Sequence, residues 1–291
     1  MAIRNRFCQA ESAKYLAPLA ILSLITACNF PDANRQPYLI LYAFETEGQL
    51  LAGRMIDIDT LRILGRPVLS GMLIGKEIIL AESGIGMTNA AMTTQRLIDR
   101  FQPKAIIFTG IAGAIDSAVQ IGDIVVCDRW ITHDYVYHGA DGPLPRGIGA
   151  FSPSADSIAR TDFFLTDSAM LQTARTINLD DLALREISHR KPSVLIGGVG
   201  VSGNAFIDNV EKRIWLAETF DALVTDMETA AVAQVCHVNA VPFIGFRSAS
   251  DLAGGSGSSS AREELDLFFK VAAENSSKVM VEFLESIDRP R

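Results

Sequence analysis

Cysteine is scarce in this chain. There are four in 291 residues, two of them within the first 28, so a disulfide-stapled scaffold is excluded. Clustered positive charge is missing as well. Lys and Arg number 26 against 34 Asp and Glu, a formal net charge of −8, and no basic run appears, which excludes a nucleic-acid binder. The four histidines are scattered and no Cys/His spacing suggests zinc, so neither a metal nor a cofactor is expected. Long apolar runs are absent too: the most apolar segment, residues 15–27, is shorter than the roughly 20 residues that cross a bilayer, which excludes a polytopic membrane protein. What remains is a chain 48% apolar and 21% charged, enough to bury a sizeable core in one large α/β domain.

The first 27 residues read as an address. Arg4, Arg6 and Lys14 precede the apolar stretch, which ends Ile25-Thr26-Ala27-Cys28. That order resembles a bacterial lipoprotein signal, in which the cysteine is lipidated and becomes the first mature residue. Glu11 and Pro18 fit it less well, and a buried helix or a start codon read upstream of a cytosolic enzyme are the other readings. The expectation is a signal peptide over 1–27, lipidation at Cys28 and a polar tether over 28–37. The protein would then be exported and anchored to a bacterial membrane by its lipid alone, on the periplasmic side in a Gram-negative cell. It would be cytoplasmic if the start is misread. Without residues 1–27 the chain carries 23 basic and 33 acidic residues, a net charge of −10. For the remaining cysteines, Cys127 and Cys236, two buried free thiols are preferred over a disulfide.

From residue 38 onward, strand-like and helix-like segments alternate with no linker that marks a second domain. Residues 38–44 read as a strand buried on both faces, 62–82 as a hairpin turning near Gly75 and Lys76, and 86–101 as a helix. A strand at 105–108 leads into a glycine-rich turn at 109–114, and 122–127 is another strand. Residues 133–165, rich in Gly, Pro, Ser and Asp, read as surface loops. Helices are expected near 166–177, at 209–218 and at 227–238, and strands at 193–196, 222–225 and 241–247. The final helix, 261–288, begins at a capping box of Ser260 and Glu263. This order implies a single α/β domain over 38–291, built on a mixed, mostly parallel sheet flanked by helices. Ligands in such sheets bind beyond the carboxyl ends of the strands.

Carboxylates gather at those ends: Glu45 and Glu47 after the first strand, Glu82 after 77–81, Asp226 and Glu228 after 222–225, and Asp251 after 241–247. Converging on one crevice, such groups can divide general-acid, general-base and charge-stabilising roles. Each also has a plainer reading. Asp226 would cap its helix, Glu228 would suit the helix dipole, Glu45 and Glu47 would be solvated loop charges and Asp251 a turn residue.

Seven segments taken together resemble the purine nucleoside phosphorylase/uridine phosphorylase superfamily. They are AFETEGQLL (43–51), ESGIGMTNAA (82–91), FTGIAGA (108–114), GDIVV (122–126), VSGNAFI (201–207), TDMETAAVAQVC (225–236) and FRSASDLA (246–253). The resemblance spans about residues 38–288 and is nearest to the 5′-methylthioadenosine/S-adenosylhomocysteine nucleosidase branch. It implies hydrolysis of the N-ribosyl bond of adenine nucleosides, without a cofactor, by a homodimer. Residues 104–127 are the expected contact surface of that dimer. Glu47 falls at the position of the base that activates water, and Asp251 at that of the acid that protonates N7 of adenine. Met227 and Glu228 match the ribose site, Phe206 and Ile207 the purine site, and Gly113 and Ile85 the sugar and alkylthio side. Arg247 and Ser250 complete the expected substrate-binding set. The loop 252–260, flexible by its glycines and serines, is expected to close over the nucleoside and bring Leu265 to its 5′ end, the plainer reading being an ordinary surface connection.

Two positions depart from the family pattern. Ile111 stands where a serine hydroxyl usually helps to hold the attacking water, which leaves that task to Glu47 and Arg247. Asn204 stands where an aspartate is usual in the purine loop. A phosphorylase would need arginines near the first strand and in 109–114, and none occurs in either place. It stays open as an alternative, beside a lipid-anchored nucleoside-binding protein that has lost turnover.

Overall fold

The computed structural model describes residues 36–152, 155–178, 182–187 and 189–288. The signal at 1–27, Cys28 and residues 28–35 of the tether lie outside the described residues.

The first apolar run becomes β1 (Tyr38–Tyr42), followed by α1 (Glu45–Ala52). The meander β2 (Ile56–Ile63), β3 (Arg66–Leu73) and β4 (Lys76–Glu82) comes next, then α2 (Met87–Phe101) and β5 (Ala105–Ala114). Beyond these lie β6 (Ile124–Val126), β7 (Arg129–Thr132), β8 (Val136–Gly139), β9 (Gly142–Pro145), β10 (Ile148–Ser152), β11 (Ala155–Thr161) and β12 (Phe164–Leu165). The C-terminal part carries α3 (Ser168–Ala174), β13 (Val194–Ile196), β14 (Val199–Ser202), α4 (Val210–Phe220) and β15 (Ala222–Asp226). It ends with α5 (Thr229–Val238), β16 (Phe243–Leu252) and α6 (Ala261–Ser286).

One large mixed sheet runs β12-β7-β14-β15-β5-β1-β4-β3-β2, with β16 pairing β5 and β6, and β13 pairing β6. Strand β5 is its hub, parallel to β1 and β16 and antiparallel to β15. Alternation along the strands divides the core. Leu39, Leu41, Ile106 and Phe108 pack on one face with Ala90 and Leu97 of α2 and Val232 of α5. Tyr38, Ile40, Ala105 and Ile107 pack on the other with Val279, Phe283 and Leu284 of α6. Helices cover both faces, which is why these strands are apolar throughout rather than alternating.

Several expectations are corrected. The glycine-rich segment 109–114 is no turn, because β5 continues through it to Ala114. Its glycines serve close packing: a Cβ at Gly110 would collide with Glu47 and Arg247, and one at Gly113 would sit 2.9 Å from Asp251 Oδ1. Strand β16 likewise runs on to Leu252, paired with β5 along its whole length. The segment 133–165 is not plain loop but holds the hairpins β8–β9 and β10–β11. The hairpin expected over 62–82 is the β3–β4 part of a three-stranded meander, since β2 pairs β3 from residue 56. Strand β14 was missed because four residues between Gly198 and Gly203 are too short to show periodicity. Cys127 and Cys236 are free and buried. Finally, most apolar residues of 104–127 are consumed by this chain's own core: Ile106, Ile107, Phe108 and the whole of β6 are fully buried.

Candidate active site

Helix α1 begins on its own side-chain brace. Glu47, three residues past the N-cap Phe44, turns back so that Oε2 accepts the amides of Ala43 (2.6 Å) and Phe44 (3.4 Å). Its other oxygen accepts the N–H of Ile111 on β5 at 2.9 Å. Burial raises the pKa of Glu47, while Arg247 and these three amides pull it back down.

Arg247 is fully buried behind Glu47. Its Nε lies 2.9 Å from both Asp226 Oδ2 and Thr229 Oγ1, its Nη1 lies 3.9 Å from Glu47 Oε1, and its guanidinium stacks 4.0 Å over the ring of Phe108. Asp226 is occupied in turn. It accepts Ser202 Oγ (2.5 Å), the amides of Glu228 (3.2 Å) and Thr229 (3.1 Å), and the Thr229 hydroxyl. Asp226 is therefore the helix brace of the plainer reading, and the buried counter-ion of Arg247. Breaking a pair buried this deeply typically costs about 3–5 kcal/mol, because it strands the other charge.

Glu228 accepts the N–H of Gly86 at 2.8 Å. Burial first, and then Asp226 beside it, push its pKa up to about 8. Gly86 holds φ at +93°, a conformation that favours glycine, and so turns its amide to that carboxylate. On β16, Arg247 stands opposite Gly110 of β5 and Asp251 opposite Gly113, with an irregularity between Ala249 and Asp251. In regular pairing Ser250 would face Gly113 and Asp251 would face Ala114; bulging out Ser250 sets Asp251 opposite a glycine. Ser250 Oγ donates to Asp251 Oδ2 at 2.8 Å. Burial nonetheless lifts the pKa of Asp251 to about 7, against the pull of Ser250 and with added push from Glu264 and Asp208.

These side chains surround one cavity of about 250 Å³, which Glu47, Asp251, Glu228, Met227, Phe206, Gly113, Ile85 and Ser250 all line. Two expected residues do not. Arg247 is shut behind Glu47, and Ile207 lines a small adjoining cavity of about 30 Å³ floored by Gly113, Thr225 and Asp251. Leu265 and Ile111 reach the main cavity, as do Arg262 of α6, Phe44 and Thr225, three residues that sequence reasoning did not assign to it. Asn204 points elsewhere, accepting the Met87 amide at the start of α2 (3.0 Å). Among the described residues, no group of three or more His, Cys, Asp or Glu side chains could hold a metal ion.

A buried carboxylate braced by amides and a second one that keeps its proton near neutral pH suit acid–base work on a single bond. Both line the same cavity, Glu47 packing at Gly110 and Asp251 at Gly113 of β5.

The model of the phosphorylase superfamily matches residues 37–285. The 5′-methylthioadenosine/S-adenosylhomocysteine nucleosidase of Staphylococcus haemolyticus is 34% identical over 243 residues, 83% of this chain and 96% of that protein. The nucleosidase of Tolumonas auensis is 32% identical over 253 residues, 85% and 98% of the two chains. Among solved structures, the Neisseria meningitidis nucleosidase in complex with methylthio-immucillin-A matches with a TM-score of 0.70 at 27% identity, over 86% of this chain and 99% of that one. The futalosine hydrolase of Helicobacter pylori matches with a TM-score of 0.70 at 27% identity, over 86% and 98%. Sequence, fold and cavity agree: the chain belongs to the phosphorylase superfamily, on its 5′-methylthioadenosine/S-adenosylhomocysteine nucleosidase branch.

Proposed function

We propose that this chain hydrolyses the N-ribosyl bond of adenine nucleosides of the 5′-methylthioadenosine/S-adenosylhomocysteine type and releases adenine. The observation that carries this reading is the pairing of Glu47 and Asp251 in one cavity, braced in different ways. Glu47 takes a proton from the attacking water. Asp251 gives a proton to N7 of the purine, so that the bond breaks toward a neutral leaving group and an oxocarbenium-like sugar. Water then adds to C1′ and the ribosyl product carries the hydroxyl. Glu228 and Met227 hold the ribose, and Phe206 stacks on the base with Ile207 and Ser250 at its edge. Gly113, Ile85 and Leu265 line the sugar and its 5′ substituent. Arg247 acts from behind, holding Glu47 and Asp226 in place.

Hydrolysis is preferred to phosphorolysis because Arg262 is the one cationic side chain, among the described residues, that lines the cavity. Incubating the chain from Cys28 onward with 5′-methylthioadenosine tests this directly. Adenine should appear at the same rate with and without phosphate. Release only with phosphate would make the protein a phosphorylase, and tight binding without release would make it a nucleoside-binding protein.

The proposed setting is outside the cytosol, with the enzyme held to a membrane through lipid on Cys28 and working as a homodimer. The order of basic, apolar and small residues before Cys28 supports the anchor. The exposed Tyr135, Tyr137 and Leu144 of the β8–β9 region supply apolar surface for a second copy. Cys28→Ser should move the protein from the detergent phase to the aqueous phase. Light scattering on that soluble form should give the mass of a dimer at micromolar concentration. Equal aqueous partitioning of both forms, or a monomer, would sink the corresponding half of this reading.

A further inference from the structure

We propose that Glu264 and Asp208 are positioning residues for Asp251, two carboxylates that latch the loop after it and the start of α6 over the cavity. The inference rests on the nucleosidase reading and adds the groups that hold its acid.

The loop 252–260 is made for freedom. Gly254, Gly255 and Gly257 all have positive φ, at +99°, +77° and +88°, and serines fill most of the remainder. Glu264 holds it nevertheless. Its Oε2 accepts the amide of Leu252, the residue after Asp251, at 2.8 Å, and its Oε1 accepts the amide of Ser256 at 2.9 Å. One carboxylate, only 4% exposed, thus closes a five-residue turn from both ends.

Asp208 secures the other side. It follows Phe206 and Ile207 on the segment between β14 and α4, and accepts the amides of Ala261 (2.9 Å) and Arg262 (3.4 Å). A helix start leaves four amides without intrahelical partners. In α6 those are the amides of Ser260, Ala261, Arg262 and Glu263; the Glu263 carboxylate takes the first (2.9 Å) and the Ser260 hydroxyl the fourth (3.2 Å). The two between have only Asp208. The segment that carries Phe206 is therefore tied to the helix that carries Leu265, joining two walls of the cavity.

Neither carboxylate lines the cavity, so neither is placed to touch a substrate. Both act on Asp251 as negative neighbours, and each helps burial to raise its pKa. The other charged groups that share the cavity with Asp251 are Glu47 from α1, Asp226 from β15, Glu228 before α5 and Arg262 from α6.

The test measures rate against pH for Glu264→Gln and Asp208→Asn, between about pH 5 and pH 9, on 5′-methylthioadenosine and on p-nitrophenyl riboside. Each amide keeps volume but removes charge, and turns a donor toward an amide that needs an acceptor. On the adenine nucleoside kcat should fall about 10–100-fold, the scale of a loosened acid. The basic limb should move to lower pH, because Asp251 loses its proton sooner without a negative neighbour. The p-nitrophenyl substrate, whose leaving group needs no proton, should be cleaved at nearly the wild-type rate. Equal losses on both substrates, or an unmoved basic limb, would overturn the latch. If the wild-type protein released no adenine at all, the nucleosidase reading would fail on its own account. The latch would then be read from the ¹³C resonance of the Asp251 carboxyl. Its titration should move to lower pH in both variants, and an unmoved titration would reject the proposal.

Discussion

Glu47→Gln should lower the rate of adenine release by about 10²–10⁴, the usual scale for losing a general base, while nucleoside affinity stays close to wild type. The amide keeps the shape of the side chain and one acceptor for the Ile111 amide, but it cannot take a proton from water. Its Nε2 also brings a donor to the Ala43 amide, which Glu47 now meets with an oxygen at 2.6 Å. A small stability loss should therefore accompany the kinetic one. Single-turnover rates, together with calorimetric binding of a non-hydrolysed nucleoside analogue, separate the two effects. Near-wild-type turnover would remove Glu47 from the role of base, and loss of binding would make it a ligand of the sugar.

Asp251→Asn should have the next largest effect, and its signature is selectivity. An adenine leaving group needs the proton of Asp251, whereas p-nitrophenolate does not, so the rate should collapse on the nucleoside and fall far less on p-nitrophenyl riboside. Equal losses would mean that Asp251 positions the sugar or the loop and is not the acid. The pH profile follows from the same groups. The wild-type rate should fall as pH rises through about 7, where Asp251 gives up its proton, and also at low pH where Glu47 is protonated.

Stability should respond with the opposite sign to that of an ion-paired aspartate. The unfolded chain releases this proton near pH 4, but the folded protein retains it until about 7. Stability is therefore lost as pH rises across that interval. Asp251→Asn has no such proton to release, so its melting temperature at neutral pH should exceed that of the wild type. A lower melting temperature would show that the Ser250 contact outweighs the burial penalty.

Much of the architecture is legible in local pattern. The apolar runs at 38–44 and 105–108 announced strands buried on both faces, and the helices of both core layers cover them. Ser260 and Glu263 announced the start of α6 to the residue. The carboxylates after β1, β15 and within β16 stood out because they interrupt apolar segments. Residues 133–165 misled for the converse reason. Gly, Pro and Ser are common in tight hairpins as well as in loops, and composition alone does not separate the two.

Local chemistry thus determined the strands, the capped helix and the set of polar residues available at the strand ends, because each depends on neighbours a few positions away. Only the tertiary structure decided what those residues do to one another. Glu47 and Asp251 are 204 positions apart, and they share a cavity because both pack against β5, at Gly110 and Gly113. The register of β16 turns on one bulged residue, which aims Asp251 into the cavity while Arg247 is shut behind Glu47. Asp226, one of the carboxylates expected at the crevice, became the partner of Arg247. Glu264 and Asp208, which no motif marks, hold the loop. Protonation is decided at the same level: a carboxyl keeps its proton near pH 7 when the whole fold has removed water from around it, and burial is a sum over segments that no short window of sequence contains.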